Sequence, residues 1–159
     1  MTAVVSLGSN LGDRLAELRA GVDLLARRFP VLAVSPVYET DPVGGPEQPA
    51  YLNCVVLLDT GDPEVLLAAA HDAERSRGRL RTARWGPRTL DVDVISVDGR
   101  VQPDARLTLP HPRAHERAFV LVPWLDVDPD AELVGHGPVR ALLRRVDRQG
   151  LRRWPAAVR

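Results

Sequence analysis

Asp91 and Asp93 stand two apart in Leu90-Asp91-Val92-Asp93-Val94-Ile95, a run that alternates and is rich in β-branched residues, so it reads as a strand. Residues two apart on a strand point to one face, roughly 6.6 Å apart along the chain. The two aspartates therefore share a face, and Leu90, Val92 and Val94 share the other. Aspartate is a poor strand former and like charges on one face repel, so a cation would relieve the pair. Two hard carboxylate ligands suit Mg²⁺, which takes one or two carboxylates and completes its octahedron with water and substrate phosphates. A polar face that is simply solvated is the competing reading. Immediately before the strand lies Arg84-Trp85-Gly86-Pro87-Arg88, two arginines and an aromatic around a Gly-Pro break, which reads as a shaped loop. Guanidinium groups beside a metal pair suit a polyphosphate.

The elements that must position this stretch can be followed from the start of the chain. Ala3 to Leu7 is a short apolar strand and Gly8 to Gly12 a loop, with Asp13 or Asn10 available to cap the next element. Leu15, Leu18, Val22, Leu25 and Phe29 recur at three- and four-residue steps, an amphipathic helix ending near Pro30. The glycines of this opening match neither Gly-x-Gly-x-x-Gly nor a P-loop, which favours a structural turn over a phosphate cradle. Val31 to Thr40 reads as a second strand with Pro36 at an edge or bulge, and Leu52 to Asp59 as a third. Between them, Asp41 to Ala50 holds three prolines and two glycines. It exceeds the ~2–5 residues of a hairpin loop and is a candidate functional loop. Asp62-Pro63-Glu64 opens a second helix with an N-cap, an N1 proline and an early acid. That helix carries Leu66, Ala69, Ala70 and Ala73 and fades by Gly78.

With the aspartate strand the order is β-α-β-β-α-β, which predicts an α+β, ferredoxin-like core: an antiparallel sheet with helices packed on one face. Arg106 to Pro110 adds extended chain, Ala114 to Leu125 a short helix, and Val139 to Val146 a C-terminal helix before a solvated, Arg-rich end. Residues 1–159 read as a single domain with a C-terminal extension.

Hydrophobic content of 45% and charged content of 26% are ordinary for a soluble globular protein. A formal net charge of +0 argues against generic nucleic-acid binding through a basic surface. Cys54 is the single cysteine and reads as a core residue, with no internal disulfide to form. The start lacks a basic signal-peptide region, and no apolar run approaches the ~20 residues of a membrane helix, so a cytoplasmic protein is expected. All 21 basic residues are arginine. This excludes a Walker A lysine, the strand lysine of protein kinases and a Schiff-base lysine.

Arg84-Trp85-Gly86-Pro87-Arg88-Thr89-Leu90-Asp91-Val92-Asp93-Val94 closely resembles the signature of the 6-hydroxymethyl-7,8-dihydropterin pyrophosphokinase family of the folate pathway. Leu7-Gly8-Ser9-Asn10-Leu11-Gly12-Asp13, Tyr51-Leu52-Asn53, and Leu109-Pro110-His111-Pro112 through Arg117-Ala118-Phe119 match it in order, covering most of residues 4 to 125. The resemblance implies transfer of a pyrophosphoryl group from ATP to the hydroxymethyl of a reduced pterin, releasing AMP. It implies two Mg²⁺ ions on Asp91 and Asp93, with Arg79 and Arg88 joining them in catalysis. It places Glu74, Arg79, Arg88, Arg106, Thr108, His111 and Arg117 on ATP. It places Thr40, Asp41, Val43, Tyr51, Asn53, Trp85 and Phe119 on the pterin. The residue types suit these roles, since arginine forks two hydrogen bonds to phosphate, aromatics stack on a flat ring, and amides match its amino and amide edge. Without the resemblance, Arg79 and Arg81 read as a solvated loop, His111 as a surface residue, Glu74 as an exposed helix end, and Tyr51 and Phe119 as core. Pro112 stands where some relatives carry tyrosine, and Thr82 and His71 where some carry other polar residues, which bears on the nucleotide contacts and not on the reaction.

The expected partners are ATP and the pterin, with no nucleic acid or membrane and the chain working as a monomer. Gly78 to Gly86, polar and bounded by glycines, is expected to close as a lid when both substrates are bound. Three other classes compete. A ferredoxin-like RNA-binding module would need aromatics on adjacent strands and a basic face. A non-catalytic nucleotide-binding relative would lack part of the set Arg88, Asp91, Asp93 and His111. A metal-dependent phosphohydrolase would need a water-activating base. Formation of AMP rather than ADP in the presence of the pterin separates these.

Overall fold

The computed structural model describes residues 1–42, 47–78 and 89–159. Strand β1 (Thr2–Ser9) includes Ser6 to Ser9, so Gly8 belongs to a strand and not to the loop expected there. Helix α1 (Arg14–Ala26) starts at Asp13, whose carboxylate accepts the Ala16 N–H at 3.1 Å. The expected strand from Val31 to Thr40 is split into β2 (Val31–Val34) and β3 (Tyr38–Thr40), which pair with opposite ends of β4 (Tyr51–Asp59). The break falls at Pro36, which has no N–H for the ladder. Ser35 turns inward there: its N–H donates to Val55 O at 2.9 Å and its Oγ accepts the Val55 N–H at 2.8 Å. Helix α2 (Pro63–Ser76) is capped as expected, Asp62 accepting the Glu64 and Val65 N–H groups at 3.1 and 3.2 Å.

Strand β5 (Asp91–Val97) lies beside β1. Short ribbons follow, β6 (Gln102–Pro103) with β7 (Thr108–Leu109) and, later, β8 (Glu132–Leu133) with β9 (Gly137–Pro138). The expected helix at Ala114–Leu125 is a 3₁₀ turn, Ala114–Glu116, and a separate helix α3 (Ala118–Val127), parted by extended backbone at Arg117. The expected C-terminal helix is likewise α4 (Val139–Leu142) running into a 3₁₀ turn, Leu143–Arg145. The Arg-rich end is not merely solvated. Its strand β10 (Leu151–Arg153) pairs with β3, and Trp154 and Val158 pack on the core beyond it. The main sheet runs β10-β3-β4-β1-β5, with β2 also on β4, and all its pairs are antiparallel.

Alternation along the central strands builds a core on each face. Ala3, Val5, Leu7, Cys54, Val56, Val92 and Val94 pack against Leu18, Val22 and Leu25 of α1 and Leu66, Ala69 and Ala70 of α2. Val4, Val55, Leu57 and Ile95 on the opposite face pack against Val120, Leu121 and Trp124 of α3 and Val139, Leu142 and Leu143 of the C-terminal region. Helices therefore cover both faces, a correction to the one-face expectation. The reason is in α3 itself: Ala-Phe-Val-Leu-Val-Pro-Trp-Leu is apolar all round and cannot remain on the surface. Burial pushes the Cys54 thiol up to about 12, so it is an inert core residue. No helix among the described residues is long and apolar enough to cross a membrane.

Candidate active site

The sheet face beneath α3 is apolar over only part of its length. Further along the same strands it turns polar, presenting Ser6 and Gly8 of β1, Tyr51 and Asn53 of β4, and Asp91 and Asp93 of β5. Register sets them side by side: Gly8 stands opposite Asn53 on one flank and Asp91 on the other, and Ser6 opposite Asp93. A cavity of about 490 Å³ lies over this end. The chain leading into α3 brings His111, Arg113, Glu116, Arg117 and Phe119 to it. The stretch after β3 brings Thr40, Asp41, Pro42 and Gln48, and the approach to β10 brings Asp147, Gln149 and Leu151.

The lack of a side chain at Gly8 makes room for Asn53, because a Cβ there would lie 2.9 Å from Asn53 Nδ2 and one of the two would have to shift. Asn53 is only 5% exposed, and its Oδ1 accepts the Thr40 hydroxyl at 3.0 Å, which fixes the amide with its nitrogen over Gly8. The residues after β1 act as clamps. Asn10, 1% exposed, donates to Gln48 Oε1 at 2.8 Å and to Pro49 O at 3.2 Å. Arg14 donates to Ala50 O at 2.9 Å and to Glu39 at 2.7 Å. Burial alone would raise the Glu39 carboxyl, but hydrogen bonds from Arg14 and Arg152 outweigh it and hold the group below its ordinary range.

His111 is pinned to β5 by its N–H, which donates to Ile95 O at 2.8 Å. Its ring Nδ1 accepts the Arg113 N–H at 3.2 Å, so the neutral ring carries its proton on Nε2. Burial first, then the Arg117 guanidinium, bring its pKa down to about 4; Asp91 opposes this and Arg113 adds to it. Near pH 7 His111 is thus a neutral hydrogen-bond donor. Arg117 sits 5.5 Å from the centre of the Phe119 ring, in cation–π contact. Asp91 and Asp93 are half-buried, and the described residues include no cluster of three or more His, Cys, Asp or Glu able to enclose a metal. Two carboxylates on one strand face fit Mg²⁺ shared with phosphate oxygens, and are too few for a closed zinc or calcium cage.

Of the residues singled out in the sequence, Thr40, Asp41, Tyr51, Asn53, Asp91, Asp93, His111, Arg117 and Phe119 line this one cavity. Glu74 lies elsewhere and is not the exposed helix end its position suggested: it is 5% exposed, and its carboxylate accepts the Val92 N–H at 2.9 Å. Arg106 is exposed and pairs with Glu64, and the Thr108 hydroxyl donates to Asp104 O at 2.9 Å. Val43, Arg79, Trp85 and Arg88 lie outside the described residues, as does the expected lid beyond Gly78. Ser6, Gly8, Gln48, Arg113, Glu116, Asp147 and Gln149 line the cavity without having been anticipated. Extending the alternation of β1 by one residue past Leu7 would have found Gly8. Asp147 and Gln149 carry no local signal, being polar residues in a polar stretch.

A family model described as 7,8-dihydro-6-hydroxymethylpterin-pyrophosphokinase (HPPK) matches residues 4–129. The Mycobacterium leprae protein named 2-amino-4-hydroxy-6-hydroxymethyldihydropteridine pyrophosphokinase is 53% identical over 161 residues, 93% of this chain and 81% of that one. The Bacillus subtilis protein of the same name is 39% identical over 155 residues, 96% of this chain and 89% of that one. Plasmodium falciparum HPPK-DHPS, wild type with pteroate, superposes with a TM-score of 0.74 at 12% identity, covering 96% of this chain. At that identity the likeness is one of fold, and this chain spans 47% of the length of the HPPK-DHPS chain.

Proposed function

The chain belongs to the 7,8-dihydro-6-hydroxymethylpterin-pyrophosphokinase family, and from this membership we propose that it transfers pyrophosphate from ATP to 6-hydroxymethyl-7,8-dihydropterin in folate biosynthesis. One observation carries the reading at the level of residues. A carboxylate pair, a neutral histidine donor beside an arginine, and an amide–aromatic slot line a single cavity of about 490 Å³.

The acceptor hydroxyl loses its proton to solvent as its oxygen bonds to the β-phosphorus of ATP, that phosphorus parts from the oxygen linking it to the α-phosphorus, and AMP leaves with that oxygen. Placement and charge are the work asked of the protein. Phe119 and Tyr51 offer ring faces to the pterin, and Asn53, held by Thr40, offers an amide to its edge beside Asp41. Val43 and Trp85 join them on the family resemblance. His111 donates its Nε2–H to a phosphate oxygen, and Arg117 supplies the adjacent positive charge. Asp91 and Asp93 would hold Mg²⁺, two ions by the resemblance, which when bound neutralises charge developing on the phosphate oxygens. Arg79 and Arg88 on the phosphates, and Glu74, Arg106 and Thr108 on the nucleotide side, rest on the resemblance.

The antiparallel strand order, with β4 and β1 central and β5 outermost, supports a ferredoxin-like core. Both hydrophobic cores draw on β1, β4 and β5, which supports reading residues 1–159 as a single domain. An RNA platform needs an open sheet face, whereas here one face lies under α1 and α2 and part of the other under α3. Incubation with ATP, Mg²⁺ and 6-hydroxymethyl-7,8-dihydropterin should give AMP and the pterin diphosphate in equal amounts. ADP as product, or AMP formed at the same rate without the pterin, would overturn the proposal.

A further inference from the structure

Asp41, Pro42 and Gln48, from the described ends of the loop between β3 and β4, line the cavity, and both ends are tied through arginines to one carboxylate. Arg14 donates to Glu39 Oε2 at 2.7 Å while also holding Ala50 O at 2.9 Å. Arg152 donates through Nε to Glu39 Oε1 at 2.7 Å, and its two terminal nitrogens each reach Asp41 Oδ1 at 3.1 Å. Arg152 arrives from the far end of the chain, 111 residues from Asp41, because β10 pairs Arg152 with Glu39 and Leu151 with Thr40.

The backbone around it is shaped for the same contact. The Asp41 N–H donates to Gly150 O at 3.0 Å. Gly150 adopts a φ of +79°, and a Cβ on it would lie 2.9 Å from Asp41 Oδ2, so only glycine lets the two chains approach so closely. Just before it, Asp147 Oδ1 accepts the Gln149 N–H at 2.8 Å, a turn from which Asp147, Gln149 and Leu151 line the cavity.

We infer that Arg152 is a positioning residue for the acceptor subsite: with Glu39 and Arg14 it sets where Asp41 and the ends of the loop stand relative to Thr40 and Asn53. The inference rests on the reading of Thr40, Asp41 and Asn53 as pterin-side residues. Arg152 touches neither substrate in this scheme, and it is far from Asp91 and Asp93 in the sheet order, so its removal acts on the pterin and spares ATP.

The test is steady-state kinetics on the full chain, with calorimetry of pterin binding in the presence of a non-hydrolysable ATP analogue. Arg152→Ala should raise the pterin KM and Kd about tenfold, as for one lost charged contact, with the ATP KM and kcat within about twofold. Arg152→Lys keeps the charge but cannot fork onto Glu39 and Asp41 together, and should show the same split at about threefold. That milder variant carries the test should Arg152→Ala not fold. Unchanged pterin affinity in the folded variants, or equal rises in both KM values, would overturn the assignment. A wild-type chain that binds the pterin but makes no AMP would overturn the proposed function and leave the clamp to be judged from the Kd. A wild-type chain that binds no pterin would overturn both.

Discussion

Asp91 and Asp93 occupy strand positions that ordinary sheet energetics disfavours, and the surrounding residues show why they are tolerated: both are only half-buried and open onto a cavity that also receives His111, Arg113 and Arg117. Replacing either by alanine should lower turnover by at least ~100-fold, the loss expected when metal-based charge stabilisation goes. Far-UV circular dichroism should stay unchanged, because the cores lie elsewhere. Near-normal turnover with Mg²⁺ present would refute the roles given to the pair. His111 makes a pH prediction. Its folded pKa, about 4, lies below the ordinary value of 6.5. Between these values the unfolded chain binds a proton that the folded chain does not. The stability linked to this group is therefore complete above pH 6.5 and is lost as pH falls through 4. In urea unfolding of the ligand-free protein, His111→Gln should lose less stability than wild type between pH 7 and 4.5. Equal losses would mean that another group carries the slope.

At the scale of elements, β1 does two jobs with one alternation. Its odd residues from Ala3 to Leu7 feed the core beneath α1 and α2; its even residues change from Val4, under α3, to Ser6 and Gly8 in the cavity. The strand thus carries the boundary between packing and site. Gly8 has no positive φ, so alanine there meets no backbone strain, only the Asn53 amide at 2.9 Å. That amide is held by Thr40 and cannot retreat without losing its bond. Gly8→Ala should raise the pterin KM about tenfold with the ATP KM unchanged. An alanine variant with wild-type pterin KM would show that Asn53 does not contact the ring. A comparable link seats α3: the Tyr38 hydroxyl donates to Asp126, and burial first, then this bond, push the phenol up to about 12.

The whole molecule is a sheet with a core on each face, and the second core is the one that shapes the cavity rim. Leu121 is fully buried in it beside Val120 and Trp124. Leu121→Ala should cost about 2–5 kcal/mol of stability, transfer and cavity terms together, measured as a lower urea midpoint with unchanged slope. A cost below about 1 kcal/mol would mean that the C-terminal region relaxes onto the sheet and that the second core is not tightly packed. The chain from Ala131 to Leu143 contributes to this core, and β10, Trp154 and Val158 attach to the sheet and the first core. The chain from Ala131 onward is therefore part of the architecture around the site.

Features that local physics can encode were legible in the sequence. Asp62-Pro63-Glu64 starts a helix wherever it is placed, and Asp91-x-Asp93 puts two carboxylates on one face at any register, whereas Pro36 marks an edge or bulge without telling that the strand splits in two there. The alternating and helical periods of the first 95 residues likewise encode the element order of the core, with its positions in error mainly where a strand outran its apolar residues, as β1 does at Gly8. Other features exist only once the chain has folded. Glu74 looks like a solvated helix end until β5 brings the Val92 N–H to it, and an apolar α3 does not reveal which sheet face it will cover. Arg152 and Asp147 look like any other polar residues of a solvated tail until β10 takes the edge beside β3, 111 residues back from Arg152 to Asp41. Such contacts depend on pairings between segments distant in the chain, and no pattern within either segment specifies its partner.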